Sequence, residues 1–253
     1  MNTSRKTACI TGASSGIGLD FSRLLAREGY QLFLVARSEA KLRELVSAIG
    51  NATAIVADLV SPDAPRRIFA ASGPVDVLIN NAGFGLSGPF VETDLQKELE
   101  MIQVNIAALT HLTKLYLPAM LARNSGHILN VASTAAFLPG PLMAVYYATK
   151  AYVLSFSEAL ADELRDTGVT VTALCPGPTA TGFAAVARME QSRLFSLLKP
   201  MDSEKVARYG IRAMEHGKRV AIPGIANRML TQSVRISPRR LVTTIVRKLQ
   251  ESR

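Results

Sequence analysis

The chain has 253 residues, 48% of them apolar, and a formal net charge of +9. That length and apolar share suffice to bury one large core, and no internal repeat or low-complexity linker divides the sequence, so a single domain over residues 1–253 is expected. Cys9 and Cys175 lack a CxxC partner and His111, His127 and His216 are scattered, which leaves no visible metal-ligand set and predicts buried, reduced thiols in a cytoplasmic protein.

Arg5 and Lys6 precede an apolar run of only four residues, too short for a signal peptide. Thr7 to Thr11 reads as a short buried strand that runs into Gly12-Ala13-Ser14-Ser15-Gly16-Ile17-Gly18. Phe21, Leu24 and Leu25 then give a helix its apolar stripe, and Gly29 ends it. A glycine-rich turn between strand and helix lets the backbone approach a pyrophosphate whose charge faces the helix N-terminus, so a dinucleotide is the natural ligand. A second strand, Gln31 to Ala36, ends at Arg37-Ser38. A carboxylate there would accept hydrogen bonds from ribose hydroxyls and repel a 2′-phosphate, whereas a guanidinium attracts that phosphate. Arg37, with Ser38 as a further donor, therefore argues for NADP(H). The third strand, Ala52 to Ala57, leads into Asp58-Leu59, where the carboxylate suits a helix cap as well as a ligand contact.

The fourth strand, Val75 to Asn80, is followed by Asn81-Ala82-Gly83, and Asn105 interrupts a helical pattern that is otherwise apolar, where it could satisfy a backbone kink. Residues 124 to 149 contain no Lys, Arg, Asp or Glu before Lys150. Pro139-Gly140-Pro141 breaks that stretch, so it is a strand (His127 to Ala132) and a loop rather than a lipid-exposed helix. Ser133 closes the strand. Thirteen residues later, Tyr146 and Lys150 stand one helical turn apart and face the same point, a pairing suited to acid–base chemistry because a phenol with a free pKa of about 10 needs a nearby cation to exchange protons near neutrality. Tyr147 lies three residues from Lys150 and is the competing acid. Sixth and seventh strands fall at Val169 to Leu174 and Arg219 to Ile222. Continuous apolar strands separated by helices predict a doubly wound α/β fold, a parallel sheet with helices on both faces and a ligand crevice beyond the carboxyl ends of the strands.

The GxxxGxG turn at Gly12 to Gly18, Asn80-Asn81-Ala82-Gly83, Asn105, Ser133, Tyr146 and Lys150 together resemble the short-chain dehydrogenase/reductase family, and Gly126 to Leu164 is similar to its branch of 3-ketoacyl and hydroxysteroid reductases. That resemblance covers Thr7 to about Gly224. It implies a Rossmann fold with the strand order 3-2-1-4-5-6-7, a homo-oligomer, and an NADP-dependent interconversion of a carbonyl and an alcohol. Tyr146 would donate the proton, Ser133 would hydrogen-bond the carbonyl oxygen, and Lys150 would lower the tyrosine pKa and bond the nicotinamide ribose. Asn105 would hold a water that relays protons to Lys150. The cofactor would lie along Gly12, Ser14, Ser15, Gly16, Ile17, Gly18, Arg37, Ser38, Asp58, Leu59, Asn81, Ala82 and Gly83. Pro176, Gly177, Thr179 and Thr181 would meet the nicotinamide carboxamide, although the same residues also make an ordinary turn. Family spacing selects Tyr146 over Tyr147.

Residues 182 to 200 occupy the place of a substrate lid, and Phe183, Val186, Met189, Leu194, Phe195, Leu197 and Leu198 make it apolar, which favours a hydrophobic acceptor. The charge is localised: residues 199 to 253 hold 13 Lys and Arg against 4 Asp and Glu, while residues 1 to 198 balance. After Pro238, Leu241, Val242, Ile245, Val246 and Leu249 form an apolar stripe flanked by Arg239, Arg240, Arg247 and Lys248. Three uses compete for this extension, 225–253: a helix docked over the pocket or on a subunit neighbour, a membrane-surface anchor, and a nucleic-acid patch. The absence of aromatic residues after Tyr209 counts against base stacking and weakens the anchor reading too. An NADP-binding scaffold without turnover is the competing function; a positioned acid has no use in it.

Overall fold

A computed structural model describes residues 5–187 and 200–251. Seven strands form one parallel sheet: β1 Thr7–Thr11, β2 Gln31–Ala36, β3 Ala52–Val56, β4 Val77–Asn80, β5 Gly126–Val131, β6 Val169–Leu174 and β7 Val220–Ala221. Their order, β3-β2-β1-β4-β5-β6-β7, is the one the family resemblance implies. Between them run α1 Gly16–Arg27, α2 Glu39–Ile49, α3 Ala64–Ser72, α4 Leu95–Ile102, α5 Leu109–Ala122 and α6 Ala144–Glu163. The chain continues through α7 Ser203–Glu215, α8 Ile225–Ile236 and α9 Arg239–Gln250.

Side-chain alternation along each strand sorts the core into two layers. Ala8 and Ile10 of β1 face Phe21, Leu24 and Leu25 of α1, Leu42 and Leu45 of α2, and Ile211 and Met214 of α7. Cys9, between them, faces the opposite layer, where Ile68 of α3, Leu112 and Tyr116 of α5, and Ala161 of α6 pack. Both strand faces are buried, which is why these strands read as unbroken apolar runs. Cys9 and Cys175 are free and buried, and burial pushes each thiol up to about 12.

Four strands differ from expectation at one or both ends. β4 starts at Val77, two residues late, and just before it the Asp76 carboxylate accepts hydrogen bonds from the Thr7 backbone (2.8 Å) and hydroxyl (3.0 Å). β3 stops at Val56 and β5 is shifted by one residue to Gly126–Val131. β7, an edge strand, pairs with β6 only through Val220 and Ala221. Among the described residues no helix is long and apolar enough to cross a membrane, and no group of three His, Cys, Asp or Glu could hold a metal.

Candidate active site

The site is assembled at the carboxyl ends of β1, β4, β5 and β6. β1 delivers Gly12 with φ +66°, a left-handed conformation natural only to glycine. Gly18, one turn into α1, lies so close to that turn that a Cβ would come within 2.2 Å of the Gly12 carbonyl oxygen. These absences make a backbone cradle at the start of a 12-residue helix whose N-cap, Ser15, makes no capping hydrogen bond with its side chain. First-turn N–H groups thus remain for an anion. Asn81 holds the cradle in place: its amide nitrogen donates to the carbonyl oxygens of Thr11 (3.0 Å) and Gly12 (3.3 Å). The cradle fits a pyrophosphate by its geometry and by the field of the helix.

From the cradle a cavity of about 940 Å³ extends across the sheet ends. Gly12, Ser15, Gly16, Ile17, Asn81, Ala82 and Gly83 line one end. Ser133, Tyr146, Lys150, Pro176, Gly177, Thr179 and Thr181 line the middle. Ser14 and Gly18 stand behind this wall, and Leu59 is packed into the core layer shared with α3. Arg37 and Asp58 lie outside the cavity as an exposed pair 4.0 Å apart, and Ser38 begins α2. The Asp58 carboxylate also accepts the Val60 N–H at 3.0 Å, so its turn-capping role is real. Lys41, in the first turn of α2 and four residues beyond Arg37 in the chain, lines the cavity and was missed in the sequence. The four-residue spacing of two cations was the signal that could have found it.

Tyr146, Lys150 and Asn105 are all buried and converge on Gly83. A Cβ on Gly83 would stand 3.0 Å from Asn105 Oδ1 and 3.4 Å from Lys150 Nζ. Lys150 Nζ donates to the Val131 carbonyl at 2.8 Å and lies 5.9 Å from the centre of the Tyr146 ring. Asn105 sits in a π-helical turn, Gln103–Ala108, that joins α4 to α5. Such turns cluster at functional sites. Its amide group accepts from the Phe84 N–H (3.1 Å) and donates to the Phe84 carbonyl (3.0 Å) and to Thr149 Oγ1 (3.0 Å), tying the loop after β4 to α6. Ser133 Oγ accepts the Ala135 N–H at 3.1 Å, capping the 3-10 turn Thr134–Phe137, donates to the Pro176 carbonyl at 3.4 Å, and lines the cavity beside the Tyr146 phenol, whose pKa it lowers.

Burial raises the Tyr146 pKa above its ordinary value, and hydrogen bonding from Ser133 only partly opposes it. The Lys150 ammonium is itself lowered to about 8 by burial, because the same desolvation that penalises a phenolate penalises an ammonium. Tyr147 is pushed up to about 12 by burial, and its hydroxyl accepts a hydrogen bond from Gln250 at the end of α9.

The far end of the cavity is apolar. Met143, Phe183 and Leu138 join Val242, Val246 and Leu249 of α9, so the C-terminal helix is docked over the pocket by its inner face. Phe183 packs on Tyr146 with ring centres 5.3 Å apart. Of the apolar residues named for the lid, Phe183 and Val186 line the cavity, while Met189, Leu194, Phe195, Leu197 and Leu198 lie outside the described residues.

A glycine cradle, a Tyr–Lys pair and a seven-stranded doubly wound sheet are the attributes of a nicotinamide-dependent oxidoreductase acting on CH–OH groups. Residues 6–192 match the family model of the short chain dehydrogenases, and the chain belongs to that family. It is 38% identical over 190 residues to a short chain dehydrogenase of Pseudocercospora fijiensis, covering 71% of this chain and 62% of the fungal protein. Against the ketoacyl reductase HetN of a Nostoc species it is 33% identical over 220 residues, which is 83% of this chain and 76% of the relative. A short-chain dehydrogenase from Sphingobium yanoikuyae in complex with NADPH superposes with a TM-score of 0.82 at 30% identity, covering 92% of this chain and 96% of the other.

Proposed function

We propose that the chain is an NADPH-dependent reductase that interconverts an apolar ketone or aldehyde and its alcohol, with Tyr146 as the proton donor. One observation carries the reading: the buried Tyr146–Lys150 pair stands midway along a cavity that is backbone-lined at its cradle end and apolar at its α9 end. The cofactor would lie from Gly12 and Gly16 to Thr181, with its 2′-phosphate toward Arg37 and Lys41, and would supply hydride to the carbonyl carbon. Tyr146 gives its phenolic proton to the carbonyl oxygen as charge develops there. Ser133 hydrogen-bonds the same oxygen and holds it at the phenol. Lys150, pinned by Val131, favours the phenolate left behind and returns a proton to it. Asn105 positions this group by fixing Phe84 and Thr149, and would hold the water that resupplies Lys150. A hydroxyl-rich substrate would leave its polar groups unpaired against Met143, Phe183, Val242 and Val246.

NADPH oxidation by the purified protein, measured against ketones graded by chain length and ring content, tests this. Turnover should rise with apolar size. NADPH should be preferred to NADH about ten- to hundred-fold, the value of one or two charge-assisted hydrogen bonds. Binding of NADPH without turnover of any ketone would favour the scaffold reading instead.

A further inference from the structure

Docking of α9 uses only one of its faces. Val242, Val246 and Gln250 point inward, yet Leu241 is 53% exposed and Ile245 49%. On α8, Ile225, Met229 and Ile236 share one helical face and are 76%, 68% and 88% exposed. Exposed apolar residues scattered singly are ordinary, but stripes on two consecutive helices are not. Their position is specific too. Leu230 and Ile245 both line the cavity and are both about half exposed, so they form its mouth, and the outer stripes continue the pocket's apolar lining onto the surface.

The charge around these stripes decides what covers them. The whole +9 excess lies within residues 199 to 253. Arg240 and Lys248 of α9 are exposed, and among the described residues neither is ion-paired. A second copy of the same surface would bring two such cationic patches together, which like-charge repulsion opposes. A sheet of anionic head groups over an apolar layer complements both features.

We infer that α8 and α9 dock the protein on an anionic lipid surface, with the mouth of the cavity toward the bilayer. This rests on the proposed reductase reading for its purpose: an apolar carbonyl compound would pass from the lipid to Tyr146 without crossing water. The surface itself is independent of the chemistry.

Flotation of the full chain with vesicles tests it, comparing phosphatidylcholine alone with phosphatidylcholine plus phosphatidylglycerol. Binding is expected only to the second, and should weaken as salt is raised. Arg240→Ala with Lys248→Ala should reduce partitioning by roughly thirtyfold, from about 1 kcal/mol per cation near an anionic surface. Ile236→Asp should reduce it independently. None of these residues lines the cavity, so NADPH binding and turnover of a water-soluble ketone should persist in each variant. Failure of all forms to float overturns the inference. So does a concentration-dependent dimer broken by Ile236→Asp, which would assign the surface to a second copy, or a fall in Tm of that variant without vesicle binding, which would assign it to packing within the chain. Loss of turnover in the unmodified protein, with vesicle binding intact, would count against the reductase reading alone.

Discussion

Lys150 shows how strongly burial governs the individual residues of the site. Its folded value of about 8 lies below the ordinary 10.5, and it returns toward neutrality as pH rises. The proposed relay needs the ammonium, so kcat/KM for ketone reduction should be level below pH 8 and fall as pH rises through about 8, since kcat/KM reports ionisations of the free enzyme. A profile still flat at pH 9, where Lys150 would be mostly neutral, would separate the lysine from the chemistry. Tyr146 remains protonated across that range because its own value is raised, which suits a donor. Ser133 has two duties, to the phenol and to the turn that follows it. Ser133→Ala should therefore lower kcat/KM by about 10²–10³, the usual effect of removing one donor to a developing oxyanion. Measured Tm should fall as well, through loss of the cap to Ala135.

Among the elements, the turn from β1 to α1 is the least tolerant of change. Gly18→Ala would drive a methyl group into the Gly12 carbonyl, and overpacking of this kind costs about 1–3 kcal/mol. Both Tm and NADPH affinity should drop, the latter read by fluorescence titration. This turn was legible in the sequence because its glycines are spaced for a helix-start phosphate site and follow a buried strand. The strands were legible because most are short, largely apolar runs between helical patterns, and their order followed from the family resemblance that the motifs carry. Strand ends were less so. Just before β4, Asp76 reaches 69 residues back to Thr7, and a local pattern carries no record of that contact. The buried network of Asn80, Asn130 and Ser157 escaped notice for the same reason, with amide bonds of 2.9 Å linking residues from β4, β5 and α6. Asn105 was read as a kink or as a site residue, and its π-helical turn together with its place beside Lys150 makes these one arrangement.

For the whole molecule, the division of labour runs between sheet and C-terminal helices. The two core layers that flank the sheet contain no residue of α9, whereas the cluster at the pocket joins Val242 and Val246 to Tyr146 and Tyr147. A chain ended after Ser237 should thus keep NADPH binding while KM for long-chain ketones rises and KM for small ketones changes little. Equal loss for both would show that α9 supports the fold rather than the pocket. Sequence alone left this helix open among three uses. The apolar stripe is broad, with Val242 and Val246 buried and Leu241 and Ile245 half exposed along its edge, and the Gln250–Tyr147 contact that pins the helix spans 103 residues.

The assignment of Tyr146 as the acid is the central claim, and Tyr147, its buried neighbour with ring centre 6.0 Å away, is the natural control. The most direct measurement is single-turnover NADPH oxidation with the best ketone by Tyr146→Phe and Tyr147→Phe proteins, after showing that each binds NADPH. Tyr146→Phe should be slower by about 10²–10⁴, the range of a positioned proton donor, and Tyr147→Phe within about tenfold of the unmodified protein. Comparable rates for Tyr146→Phe and the unmodified chain, or a collapse confined to Tyr147→Phe, would contradict the account.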